Sequence, residues 1–201
     1  MDNIAPEIIG FHQMGDGVLG TVVWITGLPA TGKTTLAQGL VEACQRAGRV
    51  TLWLDSDNLR QILSLTTNYE PQDRDGFYGV LGRLALLGAE GGAIVIVSAT
   101  AARSSYRDDV RDRLADRVKE GTRESPSFVE ILLRCGLPTL ERRDPKGLYQ
   151  RARRGEVEHL PGLGATYEEP QRAEIVVDTE RHEATEVLES VTEKLKVFAV
   201  L

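Results

Sequence analysis

This chain has few cysteines, no long apolar run and no excess of positive charge, and each of these absences argues against a class of protein. The 201 residues include two cysteines, Cys44 and Cys135, far apart and near apolar runs, which predicts free thiols in a reducing compartment rather than a disulfide. No apolar run reaches the roughly 20 residues of a membrane span. The net charge of -6 argues against the broad basic surface of a nucleic-acid-binding protein.

The amino terminus lacks the features of an export signal. MDNIAPEIIGFHQMGDG has neither a basic start nor an apolar core segment, so we expect a cytoplasmic protein. The chain is 41% hydrophobic and 27% charged, which is typical of a globular protein with a sizeable core. Its length predicts a single domain over residues 1–201, with an amino-terminal extension at residues 1–20.

Five short runs rich in Val, Ile and Leu alternate with segments of helical periodicity. The runs are TVVWIT (21–26), VTLWLD (50–55), AIVIVS (93–98), FVEILL (128–133) and AEIVVD (173–178). Because the apolar residues are unbroken rather than alternating, they predict strands covered on both faces. The repeated order of strand and helix predicts an α/β fold of three layers, in which a doubly wound, mostly parallel five-stranded sheet has helices on both faces.

Residues 142–170 break this pattern. The segment is basic in its first half, rich in Gly and Pro in its second, and contains no predicted strand. A segment of that length is typically a functional lid, and we place the lid at residues 143–168.

The most specific motif is GLPATGKTT, residues 27–35, which follows the first strand and matches the phosphate-binding pattern G-x-x-x-x-G-K-[ST] of P-loop proteins. Gly27 and Gly32 permit backbone angles that direct N–H groups inward at phosphate oxygens. Lys33 is expected to reach the outer phosphates, and the Thr34 hydroxyl to complete a Mg²⁺ shell. The motif therefore predicts a nucleoside triphosphate site, whose residues are Gly27, Leu28, Pro29, Ala30, Thr31, Gly32, Lys33, Thr34 and Thr35.

Other motifs narrow the class of protein. The chain has no N-K-x-D, the base-reading motif usual in GTPases. Its third predicted strand ends in Ser98, whereas a motor protein would require an acidic pair there. A short chain with a basic lid favours a small-molecule kinase, in which the lid excludes water from the transferred phosphoryl group.

Two aspartates, Asp55 and Asp57, follow the second predicted strand at its carboxyl end, beside the phosphate-binding loop. Carboxylates in this place can hold a metal ion, take a proton from a substrate or cap a helix. We predict that Asp57 orients and deprotonates an acceptor hydroxyl, and the alternative is that it caps the following helix. For Asp55 the alternatives are holding water on Mg²⁺ and bonding to Thr34.

Several motifs together resemble the adenylylsulfate kinase family. They are WITGLPATGKTTLA, LDSDNLR, DR at 73–74, IVIVS, RDPKGLY at 143–149 and the final IVVDT. The resemblance runs from about Val22 to about residue 195. It implies a P-loop kinase that binds ATP and Mg²⁺ and transfers the γ-phosphoryl group to the 3′-hydroxyl of adenylyl sulfate. It also implies a homodimer.

The resemblance gives roles to individual residues. Asp57 matches the acidic residue that faces the acceptor hydroxyl, and Asp55 the one nearer the metal. Arg143 and Lys146 match lid residues that cover the nucleotide phosphates. The catalytic residues are therefore predicted to be Asp57 and Lys33, with Thr34 and Asp55 at the metal.

On the acceptor side, Arg60 and Arg74 match arginines that line the acceptor site, and Tyr69 stands where the family has a Phe. Here the chain also departs from the family. The family has an Asn and two Arg after the DR pair, an I-S-P after the third strand, and K-x-F-T-G in the lid. The corresponding residues here are DGFYGV at 75–80, TAA at 100–102 and EHLPG at 158–162, and Ser56 replaces a glycine.

These departures predict an altered acceptor site, in which Phe77, Tyr78 and Arg103 are candidates to replace the missing contacts. We therefore expect an ATP-dependent kinase that phosphorylates a small, nucleotide-linked hydroxyl compound other than adenylyl sulfate. Two alternatives stay open. The chain is a genuine adenylylsulfate kinase with altered contacts, or it is a nucleotide-binding regulatory module without transfer activity.

Overall fold

The computed structural model of the chain describes residues 20–64, 71–119 and 126–201. The strands are, in chain order, β1 (Thr21–Thr26), β2 (Thr51–Asp55), β3 (Ile94–Ser98), β4 (Ser127–Arg134) and β5 (Ile175–Asp178). The helices of the described residues are α1 (Lys33–Arg46), α2 (Ser56–Ile62), α3 (Pro71–Glu90), α4 (Ser105–Lys119), α5 (Leu137–Arg143), α6 (Leu148–Arg153) and α7 (Ala184–Lys196). Apart from Gly20, the predicted amino-terminal extension lies outside the described residues.

All five predicted strands are present, and they form one sheet in the order β2-β3-β1-β4-β5. Every neighbouring pair is parallel. The central strand β1 pairs with β3 on one side and β4 on the other, so Val23 lies opposite both Ile96 and Val129. The predicted fold class is therefore confirmed, with a fully parallel sheet.

Side chains of β1 alternate between two apolar layers, because successive residues of a strand point to opposite faces. Val22 and Trp24 pack in a cluster with buried residues of α2, α3 and α4. Val23 and Ile25 pack on the other face with buried residues of α1 and α7. Both faces are covered, as the unbroken apolar runs predict.

The carboxyl end of the predicted lid is bonded to this core through Arg107, which is itself held in a buried ion pair. Nε of Arg107 in α4 donates to Glu130 of β4 over 2.8 Å, and both side chains are buried. Nη2 of Arg107 also donates to the carbonyl oxygen of Glu168 over 2.6 Å. Charged groups this deeply buried are stable only when they are paired, so Arg107 gives the carboxyl end of segment 143–168 a fixed position.

Across residues 20–64, 71–119 and 126–201, no helix is both long and apolar enough to cross a membrane.

Candidate active site

The phosphate-binding loop joins β1 to α1 at the carboxyl edge of the sheet. Gly27 has φ 145° and Gly32 has φ 92°, so both adopt the backbone conformation that favours glycine. A Cβ on Gly27 would lie 2.5 Å from the carbonyl oxygen of Leu133, so the loop passes against β4 with no room for a side chain. Gly32 is the N-cap of α1, which directs the positive end of that helix at the loop.

Lys33 folds back over the loop. Its Nζ donates to the carbonyl oxygens of Gly27 and Leu28 over 2.9 and 2.8 Å. Burial lowers the pKa of Lys33 to about 8, against the opposing influence of the Asp57 and Asp55 carboxylates. These two hydrogen bonds therefore join the ammonium group to backbone carbonyl oxygens of the loop and not to a carboxylate.

ATP binding is expected to weaken as pH rises through about 8, because Lys33 loses its proton there. Phosphate oxygens favour the charged ammonium, so the complex keeps the proton to higher pH than the free protein. The dissociation constant should rise by up to about tenfold per pH unit above that point. Calorimetric titration from about pH 7 to about pH 9.5 measures this, with Lys33→Arg, which stays charged, as the pH-insensitive control. A flat profile in the unmodified protein would contradict the prediction.

Asp55 ends β2 and makes four hydrogen bonds. Its Oδ1 accepts from the backbone N–H groups of Asp57 and Asn58, which makes Asp55 the N-cap of α2. Its Oδ2 accepts from the hydroxyl groups of Thr34 and Ser98 over 3.2 and 2.8 Å. The suggested capping role of Asp57 is therefore wrong, because the carboxylate that caps α2 belongs to Asp55. The bond from Thr34 to Asp55, which was the alternative to a metal-linked role for Asp55, is present.

The Asp57 carboxylate lies in the first turn of α2 and faces the lid. Its Oδ2 forms an ion pair with Nζ of Lys146 over 2.5 Å. Both side chains are more than half exposed, at 55% for Asp57 and 60% for Lys146. The structure thus brings the predicted base and the predicted phosphate-binding lysine of the lid together.

The lid packs directly on the phosphate-binding loop. Tyr149 is buried and donates from its hydroxyl to the carbonyl oxygen of Pro29 over 3.0 Å. Leu28 lies against Gly162, where an added Cβ would come within 2.8 Å of the leucine side chain. Arg143 donates to the carbonyl oxygen of Thr179, just after β5, over 2.6 Å. Residues of the predicted lid therefore touch the phosphate-binding loop at two places and the segment after β5 at a third.

The structure places the predicted acceptor residues in different surroundings. Arg60 lies with its guanidinium carbon 3.7 Å from the centre of the Phe77 ring, and Arg74 donates to the carbonyl oxygen of His159 in the lid over 2.9 Å. Phe77 is only 2% exposed and lies beneath Arg60 in the core, away from the cavity wall, so it offers no free ring to an acceptor. Tyr69 lies outside the described residues.

One cavity of about 1090 Å³ joins these groups. It is lined by residues 29–35 of the loop, by Asp55 and Asp57, and by Arg143 and Lys146 of the lid. Arg60, Arg74 and Arg103 also line it. Gly27 and Leu28 are not on its wall and instead present their carbonyl oxygens to Lys33.

Several residues on the cavity wall were not predicted from the sequence. They include Tyr106, Arg181, His182 and Glu183. The last three lie three to five residues after β5, and the carboxyl ends of parallel strands are where ligands bind in such folds. The position of these three residues shortly after β5 was therefore the feature of the sequence that could have identified them. For Tyr106 no local pattern distinguishes it from the rest of α4.

Fold and cavity together define a kinase of the P-loop class. The family model described as adenylylsulphate kinase matches residues 19–178. The chain belongs to the adenylylsulfate kinase family and is an ATP-dependent phosphotransferase that acts on a hydroxyl group.

Individual relatives agree with this assignment. The adenylyl-sulfate kinase of Staphylococcus epidermidis is 34% identical over 188 residues, which cover 92% of this chain and 88% of the relative. The APS kinase of Mycobacterium tuberculosis, solved in complex with AMPPNP and APS, has a TM-score of 0.79 and 30% identity over 89% of this chain and 98% of that one. A hexameric APS kinase from Thiobacillus denitrificans has a TM-score of 0.66 and 25% identity, and covers 92% of this chain and 30% of that one.

Proposed function

We propose that the chain transfers the γ-phosphoryl group of ATP to the hydroxyl group of adenylyl sulfate. One observation carries the proposal: a single cavity is lined by the phosphate-binding loop, by the Asp57 carboxylate and by Arg60, Arg74 and Arg103. ATP and an anionic acceptor can therefore be enclosed together. The proposal is supported by the names of the relatives and by the ligands in the M. tuberculosis structure. It replaces the altered acceptor that the departures from the family pattern favour.

In the proposed reaction, the Asp57 carboxylate accepts the proton of the acceptor hydroxyl as its oxygen bonds to the γ-phosphorus. The bond from that phosphorus to the bridging oxygen of ADP breaks, and ADP leaves with the electron pair. Lys33 neutralises charge on the phosphoryl oxygens. Lys146 is paired with one oxygen of the Asp57 carboxylate here, and we propose that it moves to the phosphates when ATP is bound. Catalysis then rests on positioning and electrostatics.

The donors near the loop fit the Mg²⁺ ion that accompanies ATP. Mg²⁺ prefers oxygen ligands, and it binds through few protein groups plus phosphates and water. The Thr34 hydroxyl donates its hydrogen to Asp55, which leaves the oxygen lone pairs for a metal. We propose that Thr34 holds the ion and that Asp55 orients Thr34 and the metal-bound water. When bound, the ion would neutralise charge on the β- and γ-phosphates.

A second candidate acceptor is a different anionic hydroxyl compound. Leu160, where the family pattern has a Phe, lies on the cavity wall, is 5% exposed and packs with Leu140 of α5 and Tyr149. A leucine has no ring on which a base can stack, and such stacking contributes roughly 1–3 kcal/mol per base. An acceptor that does not stack a base on the protein would lose no binding energy through the presence of Leu160 instead of a Phe.

ADP release with adenylyl sulfate, compared with a panel of other nucleotides and small alcohols, tests the proposal. We expect saturable turnover with adenylyl sulfate and a much lower kcat/KM for every other compound. Preference for another compound would favour the second candidate. Tight ATP binding without turnover on any compound would favour a regulatory module.

Assembly and location stay predictions. We propose a homodimer, although the relative from T. denitrificans is hexameric, and we propose a cytoplasmic location. Light scattering during size-exclusion chromatography measures the first, and cell fractionation the second. The predicted lid at residues 143–168 is likewise part of the proposal, and its test is protection of this segment from proteolysis when ATP is added.

A further inference from the structure

Two aromatic rings and an arginine form a stack on the acceptor side of the cavity. The rings of Tyr78 in α3 and Tyr106 in α4 lie 4.2 Å apart and nearly parallel, with an interplanar angle of 18°. The guanidinium carbon of Arg103 lies 5.8 Å from the centre of the Tyr106 ring. Tyr78, Tyr106 and Arg103 all line the cavity. The stack therefore forms part of the wall that an acceptor would meet.

Asp75 joins the arginine to the ring from the side away from the cavity. Its Oδ1 accepts from Nη1 of Arg103 over 2.7 Å and from the hydroxyl of Tyr106 over 2.5 Å. Burial, together with the hydrogen bond to Asp75, raises the pKa of Tyr106 to about 12. Tyr106 therefore keeps its proton at neutral pH and donates it to the carboxylate, and one carboxylate orients both side chains.

These contacts hold the Arg103 guanidinium in place without occupying all of its N–H donors. Its side chain is 48% exposed, and Asp75 is the one hydrogen-bond acceptor of its guanidinium in the part of the chain that the structure describes. A guanidinium has five N–H groups in a fixed planar arrangement, so several stay available to an anion. Gly79 and Val80, which stand where the family pattern has its arginine pair, are not on the cavity wall and carry no charge.

We infer that Arg103 binds the anionic group of the acceptor and thereby determines acceptor specificity, and that Asp75 and Tyr106 position it. The inference rests on the proposed function for the identity of that acceptor. In this chain Arg103, two residues before α4, thus adds its positive charge to that of Arg60 and Arg74 on the cavity wall, and contacts with Asp75 of α3 and Tyr106 of α4 hold it in place.

Steady-state kinetics of Arg103→Gln test the inference. A hydrogen bond to a charged group contributes enough that its loss should raise the KM for adenylyl sulfate by about 10–100-fold, with the KM for ATP unchanged. Arg103→Lys, which keeps the charge but not the planar donor set, should give an intermediate KM. Tyr106→Phe keeps the ring and loses the bond to Asp75, so it should raise the same KM less than Arg103→Gln does.

Arg113→Gln is the matched control, because Arg113 lies on α4 and pairs with Asp109 on the exposed surface, away from the cavity. It should leave all kinetic constants unchanged. If Arg103→Gln shifts the KM for ATP, kcat and the unfolding midpoint together, its role is structural and the inference is overturned. An unchanged acceptor KM also overturns it, while the proposed function stands.

Failure of the proposed function is separately visible as no turnover of adenylyl sulfate by the unmodified enzyme. In that case, inorganic sulfate is titrated into the enzyme already loaded with AMPPNP, so that the phosphate-binding loop is occupied. Weaker sulfate binding by Arg103→Gln than by the unmodified enzyme supports the inference. Equal binding, or no sulfate binding by the unmodified enzyme, overturns it.

Discussion

Replacement of Asp57 by asparagine is expected to lower kcat by roughly 10²–10⁴-fold, the range in which a general base contributes to catalysis. Asparagine has nearly the same shape and can still occupy the first turn of α2, but it cannot take the proton of the acceptor hydroxyl. Asp55, not Asp57, caps α2, so the helix should keep its start. The dissociation constant for ATP should therefore stay close to that of the unmodified enzyme.

Stopped-flow or steady-state ADP release measures kcat, and calorimetry measures ATP affinity. Asp109→Asn serves as the control, because Asp109 is an exposed carboxylate of α4 outside the cavity. Equal activity in Asp57→Asn would contradict the role of this carboxylate as the base. A large loss of ATP affinity with kcat retained would instead assign Asp57 to nucleotide binding through its contact with Lys146.

Replacement of Gly27 by alanine should abolish tight ATP binding. Gly27 has φ 145°, a conformation that costs a side-chain-bearing residue roughly 1–3 kcal/mol. The new methyl group would also lie 2.5 Å from the carbonyl oxygen of Leu133, which belongs to a buried strand and cannot move aside. The loop must shift, so its N–H groups no longer face the phosphates. We expect ATP affinity to fall by about 100-fold, equivalent to roughly 2.8 kcal/mol.

Gly79→Ala provides the matched comparison, because Gly79 lies within α3 and an added Cβ would meet nothing within 4 Å. That change should leave ATP affinity unaltered and raise the free energy of unfolding by roughly 0.4–1 kcal/mol, since alanine restricts the unfolded chain. Urea unfolding and calorimetry measure both variants. ATP affinity retained in Gly27→Ala would show that the loop can adapt, contrary to this prediction.

Much of the fold could be predicted because its causes are local. The strands are runs of β-branched and apolar residues, and each is bounded by polar or Gly-containing segments. The phosphate-binding loop depends on a short motif whose backbone angles are set by its own glycines, Gly27 and Gly32. The lid signature RDPKGLY likewise lies within a few consecutive residues. Patterns of this kind need no knowledge of distant contacts.

The acceptor side could not be predicted in the same way. Phe77 was expected to face the acceptor, but Arg60 covers its ring and the cluster beneath buries it. Tyr106 reads as one residue of a charged helix, yet it stacks on Tyr78 from another helix and lines the cavity. Which face of a ring stays open depends on how α2, α3 and α4 pack on the sheet, and short sequence patterns do not encode that packing.

The two aspartates at the carboxyl end of β2, Asp55 and Asp57, show the same difference between what the sequence determines and what the structure determines. Residue type and spacing alone determined that a parallel α/β sheet carries a nucleotide site at its carboxyl edge, with Asp55 and Asp57 beside it. Only the tertiary structure decided which groups they contact, because these groups belong to residues far away in the chain. Thr34 and Ser98 reach Asp55, and Lys146 crosses from the lid to Asp57. A hydrogen bond requires two groups within about 3 Å, and folding alone brings such distant residues that close.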